Sequence, residues 1–269
     1  MKNEIILIDK PTGMSSFGVV ARVRRILTEE ENRRRLVVSQ QTGQPYQRVK
    51  RVKVGHTGTL DPFATGLLIL LTGENTKRAG EFLKLDKEYI ATLRLGAIST
   101  TGDPEGEITE LRQEELGGGL CPLESATGQQ NRDIDQKTEQ KIRKIPNKTT
   151  VENCVEKFVG ENSQKVPEYS AVKINGERAY KLARAGKPLE MPTRKVMIYE
   201  LEILDYVWPQ LVLRVKVSSG TYIRALAEDI GKTLGVGAYL TALRRTEVGQ
   251  WRVQDALPLE KWLQNRVET

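Results

Sequence analysis

Lys53-Val54-Gly55-His56-Thr57-Gly58-Thr59-Leu60-Asp61-Pro62-Phe63-Ala64-Thr65-Gly66 leads directly into Leu67-Leu68-Ile69-Leu70-Leu71. The first part holds three glycines, a proline, one carboxylate and the only histidine of the chain. Glycine permits positive φ and close approach of another group. The apolar run, closed by Gly66 and Gly73, reads as a buried strand that gives the loop a rigid base. Asp61 is therefore expected on a stiff turn at the edge of a core. Two readings stay open on these residues alone: a functional carboxylate, or an Asx-Pro turn in which Asp61 caps backbone N–H groups.

Outward from this loop, charge is the next signal. The 269 residues are 38% hydrophobic and 29% charged, with a net charge of +7. Residues 22–53 hold ten Lys/Arg against Glu29, Glu30 and Glu31, so the whole excess lies there. A basic segment so concentrated is the electrostatic footprint of a polyanion binder, or else a solvated loop. Its place beside Asp61 favours nucleic acid. No apolar run approaches the ~20 residues of a membrane span, and no signal peptide is evident. One His with Cys121 and Cys154 predicts neither a zinc site nor a disulfide framework, and a reducing cytoplasm is expected.

The flanking elements read as alternating strands and helices. Glu4–Ile8 is a short strand turned by Asp9–Gly13. Ser15 or Ser16 caps a helix carrying Val19, Val20, Val23, Ile26 and Leu27. Residues 29–52 show no period and are expected to be a mobile insertion; 112–147 read as a second. Tyr89, Ala91, Leu93 and Leu95 share one face of a strand. Thr149–Glu152 reads as a capping box, with Cys154 in the core of the helix that follows. Two strands, about 194–206 and 211–218, precede a helix with Ile223, Leu226, Ala227, Ile230 and Leu234 on its buried stripe. Arg224 falls in its first turn, against the helix dipole, so it needs an anionic partner unless it is simply exposed. A strand near 248–253 and a helix at 258–263 close the chain.

Several segments together resemble the TruB family of tRNA pseudouridine synthases. Gly55–Pro62 with Ala64–Gly66 is similar to the family's catalytic motif, whose aspartate is Asp61 here. Lys10–Ser16 resembles its first motif, associated with support of the catalytic loop. Lys87-Glu88-Tyr89 matches the segment whose tyrosine lies against the target base. Val166–Gly176 with Ala179–Gly186, Ser218–Arg224 and Tyr239–Thr246 complete the match; Val166-Pro167 replaces the usual Pro-Pro pair.

The resemblance implies an α+β pseudouridine synthase fold: a bent, mixed, mainly antiparallel sheet with flanking helices and a central cleft. It implies isomerisation of uridine to pseudouridine at position 55 of the tRNA T-loop, without cofactor or metal. Asp61, Tyr89 and Arg224 are the expected catalytic residues, Arg224 pairing with Asp61. His56, Tyr222, Leu243, Lys10, Arg48, Lys50, Arg51 and Lys53 are the expected substrate and RNA contacts. Arg33–Arg35 join the expected phosphate grip. Bacterial relatives commonly continue into a PUA-type RNA-binding domain; no residues remain for one here, so a single, monomeric catalytic domain over 1–269 is expected. The rival classes are an RNA chaperone that folds tRNA without chemistry, which needs no buried carboxylate, and a phosphate-binding enzyme. Gly55–Gly58 lacks the P-loop ending and the dinucleotide spacing.

Overall fold

The computed structural model describes residues 3–111, 145–170, 172–174, 176–186 and 189–267. The expected insertion at 112–147 lies outside the described residues except for its last three.

Strand β1, Ile5–Lys10, is followed by helix α1, Ser16–Thr42, whose N-cap Ser15 accepts the Gly18 N–H. Strands β2, Val54–His56, and β3, Thr65–Thr72, flank the Asp61 loop. After helix α2, Ala79–Leu83, come β4, Lys87–Leu95, β5, Ala97–Ser99, and β6, Ile108–Glu110. Helix α3, Lys148–Glu156, precedes β7, Gly160–Lys165, then the hairpin of β8, Lys173–Ile174, and β9, Glu177–Arg178, then helix α4, Ala179–Arg184. The last third holds β10, Thr193–Val207, β11, Gln210–Val217, helix α5, Ile223–Thr233, and β12, Ala238–Val248. Two short strands, β13, Trp251–Arg252, and β14, Leu257–Pro258, lead to helix α6, Leu259–Val267.

Ten strands form one sheet in the order β14-β1-β3-β12-β4-β11-β10-β7, with β2 added to β3 and β13 to β12. Only β1–β14 and β3–β12 are parallel; the other pairs are antiparallel. This is the mixed, mainly antiparallel sheet of the expected α+β fold. The β3–β12 pairing is the seam joining the two ends of the chain. There Gly66 faces Arg245, and a Cβ on Gly66 would lie 2.3 Å from the Arg245 carbonyl oxygen. A residue at φ +100° with that neighbour has to be glycine. The leucines of β3 are fully buried, and their two faces feed two hydrophobic clusters.

Two expectations are corrected. Residues 29–42 are not a loop: α1 runs on to Thr42 and ends at Gly43, which has a left-handed φ of +69°. The chain then returns along the helix, held by polar side chains as well as by Val49 and Val52, which pack on the core. Asn32 exchanges two hydrogen bonds with the Val49 backbone, the Thr28 hydroxyl accepts the Val52 N–H, and Arg24 donates to the Val54 carbonyl. Positions 24, 28 and 32 share one helix face. A backbone strap makes the missing apolar period intelligible. At α3 the cap is Asn147, whose side chain accepts from Thr150, rather than a box beginning at Thr149. Cys154 is buried, as expected of a core residue.

Candidate active site

The Asp61 turn is wrapped by the Lys10–Ser16 segment. The Ser16 hydroxyl donates to the Leu60 carbonyl and accepts its N–H. Gly13 N–H and the Lys10 ammonium both donate to the Pro62 carbonyl, and the Thr12 hydroxyl donates to Phe63. Lys10 also donates to the Pro11 and Met14 carbonyls and is fully buried. Its expected place among the RNA contacts is therefore corrected: three carbonyls take the three ammonium hydrogens, and Lys10 staples the loop from inside. Burial pulls it down to about 8, partly opposed by the Asp61 and Glu105 carboxylates.

The turn is closed by the Ala64 N–H donating to the Asp61 carbonyl. The Asp61 side chain is directed elsewhere. Its Oδ2 lies 3.1 Å from Nε of Arg224, from the first turn of α5. About a third of the Asp61 side chain remains open, whereas that of Arg224 is only 6% exposed. The guanidinium is filled on every other side. Nη1 donates to the Asp103 carboxylate at 3.1 Å and to the Thr101 carbonyl; Nη2 donates to the Tyr169 carbonyl.

Asp103 is the residue the sequence reading missed. It is buried in the turn after β5, where its Oδ1 accepts from the Thr101 hydroxyl and the Glu105 N–H. Gly102, at φ +73°, allows the turn to pass α5, since a Cβ there would meet the Glu228 carboxylate at 2.6 Å. One guanidinium thus serves two carboxylates. Burial and the Asp103 charge push Asp61 above the ordinary aspartate range; Arg224 and Lys10 pull against them without prevailing. Arg224 still lowers it, with its charge shared between the two carboxylates.

Arg245 was also missed. It lies on the buried side of β12, opposite Tyr89 of β4. Its Nε donates to the Leu67 carbonyl and its Nη2 to the Gly58 carbonyl, tying the loop to the seam. A signal was present: Arg245 has the same strand parity as Leu243, so a core reading of one directs the other inward. Tyr89 and Leu243 are both buried on this face, in the main cluster. Tyr222 is placed apart from them, against the smaller cluster of Val166, Ala179 and Met191, with its backbone clamped by the Gln164 amide.

His56 is half-buried, its Nδ1 accepting the Gly58 N–H and its ring meeting the edge of Phe17 at 5.1 Å. Burial, Arg245 and Arg178 all lower its pKa, so the imidazole is neutral near pH 7. Arg48, Lys50, Arg51 and Lys53 are exposed on the strap. Among the described residues no three His, Cys, Asp or Glu are placed to hold a metal, and no helix is long and apolar enough to cross a membrane.

Comparison with known proteins identifies this arrangement. Residues 46–117 and 121–223 match the TruB family pseudouridylate synthase (N terminal domain), and residues 224–267 match the tRNA pseudouridylate synthase B C-terminal domain. The chain belongs to the TruB family. As a TruB-family member it is a pseudouridine synthase. The tRNA pseudouridine synthase B of Phocaeicola vulgatus is 39% identical over 265 residues, covering 97% of this chain and 94% of its own. That of Desulfotalea psychrophila is 40% identical over 259 residues, 94% of this chain and 85% of its own. Among solved structures, a Cbf5-Nop10-Gar1 complex matches with a TM-score of 0.60 at 25% identity, over 97% of this chain. This chain spans about half of the matched one, 53%. The boundary between the two TruB matches falls within α5, while β12 beyond it sits in the middle of the sheet.

Proposed function

We propose that this TruB-family chain isomerises uridine to pseudouridine at position 55 in the T-loop of tRNA, with Asp61 as the reacting carboxylate. The observation that carries the reading is the Asp61–Arg224 pair: a carboxylate one third open, neutralised by a guanidinium nearly sealed from water. Relatives named tRNA pseudouridine synthase B supply the substrate class.

The reaction breaks the C1′–N1 glycosidic bond, turns the base and joins C5 to C1′; C5 then loses its proton and N1 gains one, so the product is an isomer of the substrate. No group is transferred and no redox change occurs. Bond breaking builds positive charge on the sugar, as in glycoside hydrolysis. An ionised Asp61 answers that charge electrostatically, by attack on C1′ or by taking the C2′ proton. Its raised pKa sets the pH below which this is lost. The uridine has to leave its stack, at about a few kcal/mol. Tyr89 stacks on it, returning roughly 1–3 kcal/mol. Leu243 forms the apolar floor beside Tyr89; Tyr222 borders the site from the 166–191 side. His56 holds the RNA displaced beside the loop. The sheet continuous across both family matches supports one catalytic domain; relatives named as bacterial tRNA pseudouridine synthases support action in the cytoplasm.

The test is incubation of the protein with unmodified tRNA transcript, followed by pseudouridine mapping. Modification at uridine 55 that disappears in Asp61→Asn, with tRNA binding retained, is the expected outcome. An Asp61→Asn variant with full activity overturns the assignment of the carboxylate. Modification at a different uridine overturns the T-loop reading.

A further inference from the structure

The strap of residues 43–53 has a chemistry that its structural role does not use. Its inward positions are accounted for: Val52 is buried, Val49 packs on the core, and their backbones are bonded to Asn32 and Thr28. Lys53 is fixed through its carbonyl, which accepts the Gly73 N–H. Its outward positions are Arg48, Lys50, Arg51 and Lys53, all exposed. Among the described residues none of these four cations has a carboxylate within ion-pair distance, whereas many other surface cations do. The neighbouring cations on the helix differ. Arg34 and Arg35 both close on Glu31, and Arg25 faces Glu29. The expectation that Arg33–Arg35 grip phosphate is narrowed accordingly, since two of those three charges are already spent.

Four unpaired positive charges within six residues repel one another. Burial, and after it the neighbouring Arg51 charge, lower the pKa of the Arg24 guanidinium. Flexible surface lysines would spread apart. Here the backbone is fastened to one face of a long helix, so the charges are held together. The strap also has a direction. It runs into β2, and Lys53 is three residues, about 10 Å of extended strand, from His56.

We infer that residues 48–53 form a phosphate-binding track that holds the RNA backbone flanking the target uridine. The Arg24–Asn32 stretch of α1 is its scaffold. The track supplies affinity without touching the reacting nucleotide. It therefore lowers KM and leaves kcat alone. This inference rests on the RNA-modifying function proposed above for the site, and its test is separable from that function.

The test uses the full chain and unmodified tRNA transcript, with binding measured across a salt series. In the variant R48Q/K50Q/R51Q/K53Q, the log–log salt slope falls by up to about 3, at about 0.7 per lost phosphate contact on a single strand. Binding at 0.1 M salt weakens on the order of 100-fold. Turnover at saturating tRNA stays within about two-fold. The control K148Q/K195Q/R214Q/K232Q removes four cations paired with Glu152, Glu161, Glu202 and Glu228, and changes the slope by less than one. Single Gln variants, each lowering the slope by about 0.7, keep the test available if the quadruple variant does not fold. A wild-type slope in the strap variant, or an equal loss in the control, overturns the inference. A wild type that binds tRNA without isomerising it would refute the proposed reaction and leave the slope comparison standing.

Discussion

Replacing Asp103 with Asn tests the two-carboxylate arrangement most directly. Its Oδ1 is committed to the Thr101 hydroxyl and the Glu105 N–H, and its Oδ2 to Arg224. Asn has one oxygen for these two duties. If that oxygen keeps the turn, an NH2 faces the guanidinium, and a charge-assisted hydrogen bond worth about 1.5–3 kcal/mol is lost. Arg224 keeps the Thr101 and Tyr169 carbonyls and Asp61, so it stays near the site. Loosening it by about 1.4 kcal/mol in the transition state lowers kcat about ten-fold. The pH profile moves as well. The proposed reaction needs Asp61 ionised, and its folded pKa is raised, so activity is expected to fall as pH drops through that raised value. The Asp103 charge is one cause of the elevation. Its removal therefore shifts the acid limb of kcat/KM toward lower pH, even as the plateau drops. Single-turnover pseudouridine formation on tRNA between pH 5 and 9 reads both effects. An acid limb that moves upward, or a variant with wild-type rate and profile, would refute the reasoning and leave Asp103 as a turn cap.

Lys10→Met should leave the Pro11, Met14 and Pro62 carbonyls without their shared donor and destabilise the fold by about 2–5 kcal/mol; denaturant melts check it. The sign against pH follows from its folded pKa of about 8 against 10.5 when unfolded. From pH 8 to 10 the unfolded chain binds the extra proton, so wild-type stability at this site rises with pH and its advantage over the variant widens. Arg245→Met should free the Gly58 and Leu67 carbonyls, with a loss of about 2–4 kcal/mol and a fall in kcat larger than any change in tRNA binding. Gly66→Ala should be more damaging than either, because the seam leaves no room for the methyl group; absence of a folded sheet by circular dichroism is the expected reading.

The parts of this architecture that were legible are those in which one physical rule acts alone. Alternation over Lys87–Leu95 marks a strand buried on one face, and β4 has that pattern without exception. The stripe of α5 likewise marks a helix and puts Arg224 in its first turn, though by itself it leaves open whether that charge is exposed or paired. Residues 29–42 were illegible because their helix packs on backbone. Asn32, Thr28 and Arg24 recur at the helical spacing, but apolar periodicity is blind to polar side chains serving carbonyls and N–H groups. Asp103 escaped because its partner is over a hundred positions away and nothing local distinguishes a buried turn aspartate from a solvated one. Lys10 was misplaced for a related reason: a lysine beside proline and glycine looks like an exposed loop charge until the carbonyls around it are known.

The charge arrangement bears on how a basic chain could present a carboxylate to the proposed RNA substrate. Asp61 and Asp103 contribute two negative charges when ionised, and Arg224 returns one. Lys10, buried beneath the loop, acts on Asp61 through space and brings the group close to neutral. The strap cations Arg48, Lys50, Arg51 and Lys53 lie outside this group and are exposed. A phosphate is attracted to the rim and repelled at Asp61, whose open third is the negative end of the cluster. Of the parts of a nucleotide, the uncharged sugar and base are what such a site admits to its centre. In the proposed reaction the sugar becomes positive as the glycosidic bond opens, and the carboxylate that repels phosphate would then stabilise it. On that proposal, selection of the sugar over the phosphate and stabilisation of the transition state follow from one charge, held in place by a guanidinium that water scarcely reaches.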